Sequence, residues 1–117
     1  MSNNEQIMNH EQTVMKKQAR IGAVARGMLD GSMHYLIGAM ELASLRHDVG
    51  AYANDIDFMP FIAVLSEIDS LPVDLSLPDG LEQALATHKT ELRESVAWAK
   101  DISLVQCQSL AERYGSE

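Results

Sequence analysis

Asp57-Phe58-Met59-Pro60-Phe61-Ile62-Ala63-Val64-Leu65-Ser66-Glu67-Ile68-Asp69 is the stretch that decides how this chain folds. Phe58, Phe61, Ile62, Leu65 and Ile68 recur at the i, i+3, i+4, i+7 spacing that gathers apolar side chains into one stripe of an α-helix, with Ser66, Glu67 and Asp69 outside it. Asp57 is a residue type that caps helix N-termini, and Pro60 falls in the first turn, where its missing N–H costs nothing. A helix with a single apolar stripe needs other helices to cover it.

The rest of the chain supplies them. Ala, Leu, Met, Gln and Glu dominate, aromatic residues are only 5%, and no strand-length run alternates apolar with polar residues. A first helix is expected over about residues 9–29, with Met15, Ile21, Val24 and Met28 apolar and Lys16, Lys17, Arg20 and Arg26 polar. Asp30-Gly31-Ser32 reads as a stop followed at once by a start, with Gly31 as a left-handed cap and Ser32 capping a second helix over residues 33–48. So short a turn makes the two helices antiparallel neighbours. A row of small residues, Ala19, Ala23, Gly27 and Gly31, with Gly38, Ala39 and Ala43 on the second helix, lets two helix backbones approach closely, within one chain or between two copies, and the short turn favours the first.

Beyond the third helix, Pro72 and Pro78 rule out regular helix over residues 70–77. Ser76-x-x-Asp79 resembles a capping box opening a helical pattern towards Tyr114, carried by Leu81, Leu85, Leu92, Val96, Ala99, Ile102 and Leu110. The pattern allows one helix of more than thirty residues, but its break at His88, with a fresh cap offered over Thr87 to Thr90, favours two segments. The expected fold is all-α, a compact bundle of four to five helices with an antiparallel first hairpin and a long C-terminal helix. With 117 residues it forms a single domain, residues 1–6 being a frayed tail.

Charge is distributed unevenly. Between His47 and His88 lie Asp48, Asp55, Asp57, Glu67, Asp69, Asp74, Asp79 and Glu82 without a single Lys or Arg, so the net charge of −8 belongs to the middle of the chain. Few bases are left for a phosphate backbone, which argues against nucleic acid as a partner. No apolar run reaches the roughly 20 residues that span a bilayer, so no membrane span is expected. One cysteine, Cys107, and no signal-like N-terminus point to a reducing cytoplasm.

Several patterns invite a chemical reading and fall short of it. His34 and Glu41 share a helix face, and His47-Asp48 is similar to the paired ligands of His-Asp metal hydrolases, but the further ligands of such a site are missing. Asn54-x-x-Asp57 lacks the third acid, the Gly and the closing Glu of a calcium loop. Glu-x-x-His pairs, a Gly-rich phosphate loop and a nucleophile elbow are all absent from the sequence. No cofactor is implied, and the chain reads as non-catalytic.

Leu29-Asp30-Gly31, Gly38-Ala39, Leu42-Ala43-Ser44-Leu45-Arg46-His47, Asp57-Phe58, Pro60-Phe61, Ser66-Glu67, Asp69 and Leu71-Pro72 together resemble a group of small bacterial all-helical proteins of unassigned function, over about residues 21–115. The resemblance implies a bacterial, cytoplasmic, stand-alone domain and carries no activity.

The sequence therefore leads to an acidic interaction protein that binds a basic protein partner, as small inhibitors and immunity proteins do. Asp55, Glu67, Asp69 and Asp74, the acids without an evident capping role, are the expected contacts, with Tyr52 and Phe58 as anchors. The alternative is a small metal- or ligand-binding enzyme using His34, Glu41, His47 and Asp48. A third reading has the acidic middle pairing with the basic first helix, within one chain or across a homodimer.

Overall fold

The computed structural model describes residues 2–50 and 55–115, with side chains from residue 11 onward. Five helices follow one another: α1 (Ser2–Asp30), α2 (Tyr35–Asp48), α3 (Met59–Asp69), α4 (Gly80–Thr87) and α5 (Lys89–Gly115), with no strand among the described residues. The all-α bundle read from composition and periodicity is the fold observed. α1 begins at Ser2, upstream of the start expected near residue 9.

The hairpin forms as its turn chemistry requires, though with a different cap. Gly31 takes a left-handed φ of +85°, which only glycine adopts freely. Ser32 does not cap α2. Its N–H donates to Asp30 Oδ1 at 2.8 Å, while His34 stands at the N-cap and its Nδ1 accepts from the Leu36 N–H at 3.2 Å. Arg20 pairs with Glu41 through two contacts, and Lys17 with Asp48 at 3.8 Å, so α1 and α2 run antiparallel with ion pairs along one edge.

α5 lies antiparallel along α1, and this pairing joins the two ends of the chain. A Cβ on Gly22 would come within 2.5 Å of the Tyr114 carbonyl oxygen, so glycine is what lets α1 seat against the end of α5. Cys107 lies against Ala25, its Sγ 3.5 Å from the Ala25 carbonyl. Of the row of small residues expected to bring α1 close to α2, Gly27, Gly38, Ala39 and Ala43 are buried, whereas Ala19, Ala23 and Gly31 face solvent.

α3 closes the core over α2 and α5 with Phe61, Val64 and Ile68, and Phe58 just ahead of it is fully buried. The stripe is thus rotated slightly from the one read in sequence, because Val64 is enclosed while Ile62 and Leu65 are only half-buried. Both capping readings around it need correction. Phe58, not Asp57, is the N-cap of α3, without a side-chain bond, because the Asp57 carboxylate is engaged by α5. Asp79 does stand at the N-cap of α4 but accepts from the Gln83 side chain at 2.9 Å, and Ser76 bonds Asp74 instead of completing a box. The helical pattern breaks at His88, as the sequence indicates, leaving α4 and α5 as separate helices.

Ile21, Val24, Met28, Leu36, Leu42, Phe58, Phe61, Leu92, Ala99, Cys107 and Leu110 form one continuous core. At about 25 cal/mol per Å² of apolar surface removed from water, such burial is the dominant force holding the helices together. No described helix is long and apolar enough to cross a membrane.

Candidate functional site

The acids of the chain's middle divide into two groups according to what faces them. Asp55 and Asp57 precede α3 and point at the end of α5, where Arg113 Nη1 lies 3.1 Å from Asp55 Oδ2 and 3.3 Å from Asp57 Oδ2. Ser109 adds a hydrogen bond to Asp57 Oδ2 at 3.0 Å. Asp55 Oδ1 also accepts the Asp57 N–H at 3.1 Å. Asp55, expected to be an unpaired contact acid, is therefore a structural residue that fastens the approach to α3 onto α5.

Glu67, Asp69 and Asp74 do come together, around the Leu71-Pro72 segment that leaves α3. On one side of that segment a groove of about 430 Å³ is lined by Glu67, Glu91, Glu94, Leu71, Pro72 and Trp98, among others. On the other side a second groove of about 540 Å³ is lined by Asp69, Asp74, Met40, Val73 and Leu75 together with the same Leu71 and Pro72. Five carboxylates thus flank one short apolar ridge, and neither groove has a Lys or Arg in its lining.

These acids are held to different degrees. Ser95, buried on α5, donates to Glu67 Oε2 at 3.1 Å and fixes the carboxylate at the floor of the first groove. The Ser76 hydroxyl and N–H both donate to Asp74 Oδ1, at 2.6 and 2.9 Å, and hold that carboxyl below the usual aspartate range. Glu91 lies 3.5 Å from His88 Nδ1. Asp69 and Glu94 are exposed and make no hydrogen bond or ion pair with the described residues. Trp98, the single tryptophan of the chain, is 40% exposed at the edge of the first groove.

The sequence missed Glu91, Glu94 and Trp98 because they lie on α5, far along the chain and outside the base-free stretch. The signal available was the outward register of α5, where Glu91, Glu94 and Trp98 follow one another at helical spacing. The two expected anchors are not at the grooves. Phe58 has no exposed surface and is a core residue, which corrects its reading as a contact. Tyr52 lies outside the described residues.

The alternative metal set is not assembled. His34 caps α2, and burial, with help from the nearby Lys100, lowers its pKa below that of a free imidazole. Glu41 is taken by Arg20 and Asp48 by Lys17, and His47 is exposed in the last turn of α2. Among the described residues no three His, Cys, Asp or Glu side chains converge as a metal site would need.

A buried polar row on α5 completes the chemically interesting groups. Ser103 donates its only hydroxyl hydrogen to the Ala99 carbonyl at 2.6 Å, so the 2.7 Å contact with Tyr35 has the tyrosine as donor. Burial pushes the Cys107 thiol up to about 11 and the Tyr35 hydroxyl up to about 12, which makes both poor nucleophiles. All buried side-chain nitrogen and oxygen atoms among the described residues have partners.

Compared with known proteins, the chain matches no family model, no curated protein and no solved structure.

Proposed function

We propose that this protein is a non-catalytic acidic adaptor or inhibitor whose two grooves around Leu71-Pro72 receive a basic segment of a partner protein. The observation that carries the reading is the set of five carboxylates, Glu67, Asp69, Asp74, Glu91 and Glu94, on one ridge with no cation in the groove linings. Leu71, Pro72 and Trp98 give that surface an apolar component. Trp98 in addition offers a ring face for a guanidinium, a contact worth about 0.5–1 kcal/mol at exposed sites. Arg-bearing partners fit such a surface best, because a guanidinium both stacks and bonds two carboxylate oxygens at once. Complementary charge speeds encounter and rejects wrong partners more than it adds affinity.

The reading is tested by affinity capture from the native cell at low salt, comparing the wild type with a Glu67→Lys, Glu91→Lys, Glu94→Lys variant. A basic protein held by the wild type, released by salt and absent from the variant is the expected result. The same set of captured proteins on both baits would overturn it.

A further inference from the structure

The two grooves beside Leu71-Pro72 are built differently, and only the first has an aromatic wall. One side of it comes from α5, where Glu91, Glu94, Ser95 and Trp98 stand at i, i+3, i+4 and i+7 and so share one face of the helix. The facing side comes from the end of α3 and its exit, with Glu67, Leu71 and Pro72. Ser95 ties the two sides together: it is buried, and its hydroxyl donates to Glu67 Oε2 at 3.1 Å across the groove floor. The second groove sets Met40, Val73 and Leu75 beside its acids and has no aromatic residue in its lining.

Resting on the acidic-groove reading, we infer that the first groove is a socket for a single arginine side chain of the partner, with Glu67 as its floor, Trp98 as its stacking face and Ser95 as the positioning residue that holds Glu67 in place. Each part of an arginine side chain meets a counterpart there. The methylene stem is apolar and lies against Leu71 and Pro72. The guanidinium is planar and weakly hydrated, so it stacks on an indole face at little desolvation cost. Trp98 leaves 40% of its surface open for that contact. The forked N–H groups bond a carboxylate through two oxygens. The Ser95 hydroxyl fills one of about four lone-pair sites on the Glu67 carboxylate and leaves the others to the guest.

The remaining acids of this groove set its charge and not its choice of guest. Glu91 is shared with His88, 3.5 Å away, and Glu94 is exposed. Both attract any cation. A lysine brings the same charge as an arginine, but its ammonium is a compact, strongly hydrated point charge that neither lies flat on an indole nor presents a rigid fork to a carboxylate. The socket therefore selects arginine over lysine at equal charge.

Acetylated and amidated triarginine and trilysine, which carry equal charge, test the socket when each is titrated by calorimetry into the full chain at low salt. Trp98 is the single tryptophan, so its emission reports this groove. Triarginine is expected to bind about fivefold tighter than trilysine and to change the Trp98 emission. Trp98→Leu and Ser95→Ala keep every carboxylate and are expected to bring the two affinities together, with helical circular dichroism unchanged. Equal affinities in the wild type, an emission that triarginine leaves unmoved, or a preference that survives either variant would overturn the socket while leaving the acidic grooves standing as a general cation surface. Binding of neither peptide would overturn the acidic-groove reading and the socket with it.

Discussion

Tyr35 donates its hydroxyl hydrogen to Ser103 across 68 residues of chain, 2.7 Å apart in the interior between α2 and α5. Because Ser103 passes its own hydrogen to the Ala99 carbonyl, the three groups form a directed chain with no spare donor. Removing the head of that chain costs little, since Tyr35→Phe leaves nothing unsatisfied: about 1 kcal/mol. Ser103→Ala strands a buried tyrosine hydroxyl and should cost more, about 1–3 kcal/mol. Urea denaturation of both single variants and the double variant checks this, the double costing less than the sum of its parts.

Alkaline pH should loosen the same region. The folded Tyr35 hydroxyl titrates at about 12 against 10 when free, and the folded Cys107 thiol at about 11 against 9. Between each pair of values the unfolded chain loses its proton first, so stability falls as pH rises, from pH 9 to 11 through Cys107 and from 10 to 12 through Tyr35. Chemical denaturation as a function of pH should show this slope, flattened above pH 10 in Tyr35→Phe and below it in Cys107→Ala.

On the acid side His34 supplies the opposite slope. Its pKa is lowered by burial and by Lys100, so from pH 6.5 downwards the unfolded chain takes up a proton that the folded chain resists, and stability falls as pH falls. The protonated Nδ1 also ceases to accept from Leu36, uncapping α2. NMR titration of His34 should give a value below that of a free histidine, and His34→Asn, which caps without titrating, should remove this part of the pH dependence.

Gly22→Ala reverses the usual sign of a helix substitution. Alanine in a helix interior is worth up to about 1 kcal/mol over glycine, but here its Cβ would meet the Tyr114 and Gly115 backbone at under 3 Å. Moving two helix backbones apart typically costs about 1–3 kcal/mol, so the clash outweighs propensity and the melting temperature drops. Gly27→Ala, whose Cβ would meet the Met33 and Ser32 side chains at 3.2 and 3.3 Å, is the milder control.

Arg113→Ala and Asp57→Ala separate the ion pairs from the hydrogen bonds at the entry to α3. Arg113 is well exposed, and losing it should cost no more than about 1 kcal/mol, less at high salt. Asp57, more enclosed and bonded to Ser109 as well, should cost more and keep most of its effect in salt. Thermal melts at two ionic strengths distinguish the two.

The hairpin, the break at His88 and the Phe61 and Ile68 core positions of α3 were legible from period and turn residues, because each is a local property of a dozen residues or fewer, whereas the burial of Val64 in place of Ile62 and Leu65 is set by how α3 is rotated against its neighbours. Long-range partners were not. Asp57 looked like a cap because capping is what an aspartate ahead of an apolar stripe usually does, and only the arrival of Ser109 and Arg113 from α5 redirects it. Phe58 looked available as an anchor because a stripe does not reveal which end the rest of the bundle covers. The acidic ridge was half legible: Glu67, Asp69 and Asp74 stood out by the absence of bases around them, whereas Glu91 and Glu94 sit among Lys89 and Arg93 and become part of the ridge only by helical register.

The seating of α1 on α5 makes the core a long-range structure. Ile21, Val24 and Met28 are covered by a surface around Cys107 and Leu110, and 82 residues of chain separate Ala25 from the Cys107 it touches. Until α5 has been synthesised the hairpin of α1 and α2 carries an uncovered apolar flank, so the bundle closes by a late, non-local step rather than by growth from its first helices.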